Sequence, residues 1–359
     1  MHALPHRGRG CAARLVAWVV LALLSSSALA NAQGFETVGT RALGMGGAFV
    51  AVADDSTAVY WNPAGLANAG VVEACLQRVA AESPLGQDQA VAPGGGWRAS
   101  TTLFAFSFPS LGVSYLRTRV RQASAPIAGS EDSRQTDRPG MAAVSSIATD
   151  QVGVTLLQTL FANLVAGTTL KLARGSFATA PVGTTSLSAS LDQAAQLSAG
   201  SATRFDLDIG VLAFSGPVRF GMTGRNLRQP AFGPGDAAGA GRLQRQIRVG
   251  VAVTPGFVIN RTAASQPSLT IALDADLTRS TLPTGDERHV AAGVERWFSG
   301  RRLGLRGGVR ASTIGEHRPL ATAGASLTVR SGLLLEGQYA RGRDAAGRQW
   351  SVGGRVTFQ

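Results

Sequence analysis

The side chains that most often carry enzyme chemistry are few in this sequence. After residue 32 it contains two histidines, His289 and His317, and a single cysteine, Cys75. Neither histidine accompanies a Gly-x-Ser-x-Gly or His-Glu-x-x-His motif, and one cysteine cannot form a disulfide or a redox pair. The sequence therefore predicts no enzyme, no catalytic residue, no metal site and no cofactor.

A glycine-rich stretch near the N-terminus has the wrong pattern for a nucleotide loop. Gly44-Met45-Gly46-Gly47 is followed by Phe49 where a third glycine would stand, and no βαβ pattern surrounds it. Small residues also let a backbone approach a wall closely, as a plug inside a barrel requires. The residues predicted to form such a plug motif are Gly44, Gly46, Gly47, Asp54, Asp55, Trp61, Asn62, Pro63 and Ala64.

Polar groups within this motif need partners. Asp54, Asp55 and Asn62 are candidates to hydrogen-bond arginines on a surrounding wall. We favour an anchoring role over ligand contact, because a buried charge must be paired. Asn62-Pro63 marks a turn, since proline disfavours the helical region for the residue before it.

Charged residues in the C-terminal part recur with a period of two. Seven of them share one face of successive extended segments: Asp274, Asp276, Glu295, Arg306, Arg310, Glu336 and Arg355. Opposite charges on neighbouring segments predict a ladder of pairs facing an interior. Pairs that fill and stiffen this interior are the favoured interpretation, and pairs that set the selectivity of permeation are the alternative.

The elements that carry these residues repeat one unit from Trp97 onward, alternating apolar with polar or small residues and ending in a turn. Residues 205–211, 269–277 and 350–358 show it best. Such strands are typical of membrane barrels, whose wall meets lipid outside and the lumen inside. A soluble β-sandwich gives a similar alternation and is the alternative. We predict an all-β fold, a transmembrane antiparallel β-barrel of about 14 strands with an N-terminal plug segment.

The connections between strands divide into short and long sets. The predicted strands lie near 71–79, 97–108, 111–121, 141–160, 163–175, 203–214, 217–228, 243–254, 267–278, 287–298, 302–311, 318–329, 331–341 and 348–358. Taking 141–160 as one strand, not two broken at Asp150, places the short turns on one side and the long polar loops on the other, as in such barrels. The long connection 255–266 is an exception on the short side.

The first residues indicate export. Arginines precede an apolar run over 15–24 and then small residues, which predicts a signal peptide at 1–32. We therefore expect a plug segment at 33–68 and a barrel at 69–359 in the outer membrane of a Gram-negative bacterium. Positive residues are spread along the chain, which argues against a nucleic-acid partner.

Residues 39–66 resemble the N-terminal segment of the FadL family and of the related PorV-like outer-membrane proteins. The resemblance rests on the Gly/Ala-rich stretch, the Asp54-Asp55 pair and Asn62-Pro63-Ala64 ahead of the first strand. It implies passive transfer of small hydrophobic or amphipathic compounds across the outer membrane, with the plug controlling passage.

Two departures keep other functions open. The chain is shorter than the FadL pattern, and its loops 122–140 and 176–202 are polar and lack the apolar helices expected to capture lipids. The alternative is a PorV-like or TraF-like accessory or structural barrel in protein export, and an outer-membrane enzyme is the third. Expected partners are outer-membrane lipid and a small hydrophobic ligand.

The C-terminus predicts one further partner. Trp350, Val352, Val356 and Phe358 share one face of the last strand, so Phe358 is expected to signal insertion to the barrel-assembly machinery. Aromatic residues near strand ends, among them Phe161, Trp297, Phe298 and Tyr339, are expected to form interfacial girdles.

Overall fold

The structure is a computed structural model. It describes residues 38–69, 72–83, 96–123, 140–184, 187–233, 241–255, 268–282, 285–315, 317–342 and 347–358. The predicted signal peptide, the start of the predicted plug segment and most of the connection 255–266 lie outside these residues.

Fourteen strands form one closed antiparallel barrel, which confirms the predicted fold. They are β1 (Val72–Glu82), β2 (Gly96–Ser107), β3 (Leu111–Ala123), β4 (Gly140–Phe161), β5 (Leu164–Thr184), β6 (Ala202–Ser215), β7 (Val218–Arg225), β8 (Gln246–Val253), β9 (Leu269–Asp276), β12 (His289–Phe298), β13 (Leu303–Ser312), β14 (Leu320–Arg330), β15 (Leu333–Gly342) and β16 (Arg348–Phe358). Strand β1 pairs with β16, with Val72 opposite Phe358, and so closes the ring.

Side-chain burial alternates along the strands, as their sequences predict. Large apolar side chains such as Leu76, Leu172, Leu273, Val309 and Val352 are more than half exposed on the outer wall. Polar and small residues between them point inward and are mostly buried. An apolar outer face and a polar inner face are what a barrel wall in lipid requires.

The two ends of the barrel differ in their connections. Short turns join β2 to β3, β4 to β5, β6 to β7, β12 to β13 and β14 to β15. The opposite end, here called the loop end, carries the longer connections. There, strands β10 (Ser280–Leu282) and β11 (Gly285–Glu287) form a separate two-stranded sheet.

The region 176–202 is not the simple polar loop that we predicted. Strand β5 was expected to end at residue 175 but continues to Thr184, because Phe177 pairs with Ile147 of β4 and both side chains are buried. A helix, Leu187–Gln196, then follows. Its apolar stripe packs against Ala123 and Val144 on the wall.

Three short helical turns lie in the N-terminal segment. They are α1 (Thr40–Gly44), α2 (Ala58–Trp61) and a 3-10 helix (Pro63–Asn68), and the loop-end helix Leu187–Gln196 is therefore α3. None of the helices among the described residues is long and apolar enough to cross a membrane.

Candidate functional site: the inner segment and its luminal partners

Residues 38–69, here called the inner segment, are buried by the inward face of the barrel. All of them are buried except Asp54 and the last three residues. Partners come from opposite walls: Thr40 N–H donates to Gln77 of β1 at 2.9 Å, and Arg248 of β8, across the ring from β1, donates to the Gly47 carbonyl at 3.3 Å. The segment therefore lies within the ring of strands.

Glycines allow this close approach. Gly46 has φ +71°, and a Cβ there would lie 2.8 Å from the carbonyl oxygen of Val309 on β13. Strand glycines make room from the other side, since a Cβ on Gly308 or Gly293 would lie within 2.5 Å of Met45 backbone atoms. Larger side chains at these positions would displace the backbone of the inner segment.

Arg41 holds the inner segment to one wall. Its guanidinium forms a two-point contact with Glu295 of β12, at 2.8 Å and 2.6 Å. The third nitrogen donates to Asp55 at 3.2 Å and also to Asp54. Burial alone would lower the pKa of Arg41, but these three carboxylates outweigh it and raise the pKa well above its usual value.

The predicted aspartates take part in the same network. Asp55 pairs with Arg355 of β16 at 3.0 Å, and Asp54 lies 3.6 Å from Arg219 of β7. Burial acts to raise the pKa of Asp55, yet Arg355 and Arg41 lower it overall. Both carboxylates thus tie the inner segment to the barrel.

Strand residues extend the network around the wall. Arg306 lies 3.7 Å from Glu295 and 3.6 Å from Glu336, and Arg355 donates to Glu336 at 2.9 Å. The structure brings four predicted luminal charges together here, from strands β12, β13, β15 and β16. A connected set of opposite charges satisfies groups that would each be costly to bury alone.

The remaining three predicted charges lie outside this cluster. Asp274 accepts from the N–H groups of Phe49 and Val50, both at 2.8 Å. Asp276 accepts from Arg248 at 2.5 Å. Arg310 is half-buried on the inward phase of β13, away from the Glu295 and Glu336 cluster.

Asn62 departs from its predicted role. Its amide donates to the carbonyls of Val50 and Val211, at 2.8 Å and 3.1 Å, and its side-chain oxygen accepts from Ala64 N–H. These bonds fix the turn at Pro63 against β6, so Asn62 binds backbone groups and not the expected arginines. Trp61 donates to the Val38 carbonyl at 3.1 Å and closes the segment on itself.

A second cluster was not anticipated from the sequence. Lys171 of β5 lies 3.0 Å from Asp206 and 2.7 Å from Asp208 on β6. Arg225 of β7 stacks over Tyr60 of the inner segment at 3.4 Å. The alternation of Asp206 and Asp208 is visible in the sequence, but it does not predict that a lysine on the neighbouring strand pairs with them.

Apolar contacts with the inner segment cluster on the wall formed by β2 and β3, with Cys75 of β1 beside them. Cys75, Leu103 and Leu116 point inward and cluster with Val59 and Leu66 of the inner segment. A cavity of about 20 Å³ lies between this apolar wall and the Lys171 cluster. That volume accommodates roughly one water molecule.

The two histidines are not brought together. His289 lies 3.3 Å from Glu287, whereas the ring of His317 contacts the Ser312 carbonyl at 3.1 Å. Within the described ranges, no group of three or more His, Cys, Asp or Glu residues could hold a metal ion.

The prediction that Trp297 belongs to the aromatic girdle is wrong. It shares the inward phase of Glu295 and is buried, with Arg301 over its ring at 4.3 Å. Phe161, Phe298, Tyr339, Trp350 and Phe358 do lie exposed on the outer wall.

Solved structures share this architecture. The toluene transporter TbuX of Ralstonia pickettii matches with a TM-score of 0.59 and 13% identity, over 91% of this chain and 100% of that one. The CymD monoaromatic hydrocarbon channel matches at 0.61 and 13%, over 91% and 99%. A Pseudomonas aeruginosa FadL homologue matches at 0.55 and 11%, over 93% and 100%.

The chain has the FadL-type barrel fold. This agrees with the resemblance of residues 39–66, and the match extends along nearly the whole of each compared structure. No protein family profile and no curated protein matches the sequence. Within the FadL-type fold, the inner segment occupies the space enclosed by the strands.

Proposed function

We propose that this protein is a Gram-negative outer-membrane channel for small hydrophobic or amphipathic compounds, with residues 33–68 acting as a plug. The observation that carries the proposal is the uneven attachment of the inner segment. Ion pairs from Arg41, Asp54 and Asp55 hold it to β12, β7 and β16. Apolar contacts with Leu103 and Leu116 hold it to the wall of β2 and β3.

This asymmetry favours a path along the apolar wall. The cavity beside this wall, of about 20 Å³, is too small for an organic solute, so passage there requires the inner segment to move. The free-energy cost of separating two apolar surfaces is offset when an apolar solute fills the gap, because each buried methylene contributes about 0.8 kcal/mol. A sugar gains nothing from such a gap and loses its hydration.

The substrate class has support from the compared structures. TbuX is named a toluene transporter and CymD a monoaromatic hydrocarbon channel. At 11–13% identity these names guide the choice of compounds to test. We propose a passive process without an enzymatic step.

The test is uptake by cells that express the protein, with a vector control. The panel contains labelled sugars, fatty acids and aromatic compounds. Leu116→Gln places a polar group on the apolar wall, and Leu320→Gln is its matched control because Leu320 is a buried leucine on β14, far from that wall.

We expect selective uptake of an apolar compound, reduced by Leu116→Gln and unchanged by Leu320→Gln. Selective uptake of sugars would contradict the proposal in favour of a porin. Absence of any uptake, with an exported protein co-purifying, would favour an export accessory.

A further inference from the structure

The outer wall carries a group of arginines near the loop end of β1, β2, β3 and β16. Here we call Arg78, Arg98, Arg117, Arg119, Arg121 and Arg348 the arginine patch. All six lie on the outward phase of their strands, the same phase as the exposed apolar residues Leu76, Phe104 and Val352. They face the surroundings of the barrel and not its lumen.

Strand register arranges these residues in rows around the barrel. Nearest the short turns, one row contains Leu76, Phe104, Tyr115 and Val152. The next row toward the loop end contains Val352, Arg78, Thr102 and Arg117. Two further rows place Trp350, Ala80, Ser100 and Arg119 side by side, and then Arg348, Glu82, Arg98 and Arg121. The wall thus changes from apolar to cationic within one row.

Small residues make this part of the wall concave. Ala80 and Ser100 lie between Trp350 and Arg119, and five of the six arginines line a cavity of about 300 Å³ above them. The loop-end side is bounded by α3, whose Leu187 would meet a Cβ placed at Gly96, in the row beyond Arg98. The arginines are therefore bounded by α3 on the loop-end side, by the small residues Ala80 and Ser100 beneath them, and by apolar residues on the short-turn side.

The patch is not neutralised by the carboxylates beside it. Glu82 contacts Arg98 and Arg348, Asp150 lies 3.6 Å from Arg117 and 3.7 Å from Arg119, and Asp192 lies 3.1 Å from Arg98. Six guanidinium groups thus meet three carboxylates, which leaves a net charge of +3. Across the part of the chain that the structure describes, no carboxylate lies within ion-pair distance of Arg78 or Arg121.

We propose that the arginine patch binds the phosphorylated headgroup of a membrane lipid in the leaflet at the loop end. Guanidinium groups bind phosphate oxygens in two-point contacts, which makes arginine well suited to this anion. The acyl chains would continue over Leu76, Phe104 and Tyr115, and Trp350 is an aromatic residue suited to the headgroup level. The inference rests on the proposed membrane location but not on transport.

The test is native mass spectrometry of the full chain in neutral detergent, titrated with diphosphorylated lipid A from the outer leaflet. Arg119→Gln/Arg121→Gln removes two guanidinium groups from the patch. The matched control is Arg296→Gln/Arg330→Gln, since these arginines are also exposed but lie at the short-turn end. Folding of every variant is checked by heat-dependent migration in electrophoresis.

We expect the patch variant to bind lipid A at least about tenfold more weakly, and the control within about twofold of wild type. Arg119→Lys/Arg121→Lys, which keeps the charges but not the two-point geometry, should give an intermediate affinity and serves if the glutamine variant misfolds. Equal binding by wild type and patch variants would overturn the proposal.

Two further binding measurements identify the chemical class of the ligand. Dephosphorylated lipid should bind weakly, and unchanged binding would contradict phosphate recognition. Inorganic phosphate should compete poorly, and full competition at equal concentration would mean a small-anion site instead of a lipid site. A barrel that passes no compound can still bind lipid A, so failure of the proposed channel function is distinguishable from failure here.

Discussion

Arg41 pairs with three carboxylates at once, Asp54 and Asp55 of the inner segment and Glu295 of β12, and Glu295 supplies the two-point contact. Both side chains are almost completely buried. In such a site the loss of one partner leaves a charge without compensation, which costs far more than breaking a surface ion pair.

We predict that Glu295→Gln lowers the free energy of unfolding on the order of 3 kcal/mol, because Arg41 and Arg306 lose their shared carboxylate. The measurement is the temperature at which the folded electrophoretic band disappears. Glu82→Gln is the control, since Glu82 pairs on the outer wall with the exposed Arg348. Equal decreases of this temperature in the two variants would show that the luminal ion pair contributes no more stability than the pair on the outer wall.

Gly46 tests the close approach of the inner segment to β13. Gly46→Ala should be destabilising, since a left-handed backbone costs about 1–2 kcal/mol for a residue with a Cβ and that Cβ would meet the Val309 backbone. Gly337→Ala is the control because open space surrounds that strand glycine. The same thermal assay should separate them, and a Gly46→Ala variant as stable as the control would argue against this packing.

The sequence predicted the positions of some luminal residues but not of others. The inward phase of Glu295, Arg306 and Arg355 follows from alternation with exposed neighbours, and their burial agrees with it. Arg41 and Lys171 were not singled out, because Arg41 meets Glu295 on a strand remote in sequence and Lys171 meets its aspartates only through the register of β5 with β6. Register around a closed ring decides such contacts, and no local pattern encodes it.

At the scale of elements, all fourteen barrel strands were predictable because each alternates over a full wall crossing. The residues at which the strands end were harder to predict. Strand β7 was expected to reach residue 228 but ends at Arg225, where Asn226 adopts φ +51° and accepts from Lys171. Helix α3 and the sheet of β10 and β11 lie in polar loops, where short periodic patterns are weak.

The last strand allows an element-scale prediction. Phe358 is half-exposed on the outer wall and pairs with Val72 where the ring closes. Deleting Phe358 and Gln359 should therefore reduce the amount of membrane-inserted, heat-modifiable protein, through weaker recognition by the barrel-assembly machinery and weaker closure. Replacing Gln359 alone by alanine is the control. Insertion equal to wild type after the deletion would remove the terminal aromatic from the insertion signal.

At the scale of the whole molecule, the barrel encloses a segment that contacts strands on opposite walls, β1 and β8. A ring of fourteen strands is narrower than porins of 16–18 strands, and the inner segment narrows it further. In the function proposed above, the wall supplies the passage and the inner segment determines its remaining width. The apolar contacts at Leu103 and Leu116 mark where we expect a solute to pass.

The conductance of single channels in a planar bilayer tests this account most directly. We predict that the full-length chain conducts very little and that deletion of residues 35–66 produces clear, larger conductance steps, because the deleted segment carries Arg41, Asp54 and Asp55 and fills the lumen. Glu295→Gln should lie between the two. Equal conductance of the truncated and full-length barrels, both shown to be folded, would contradict the claim that the inner segment closes the channel.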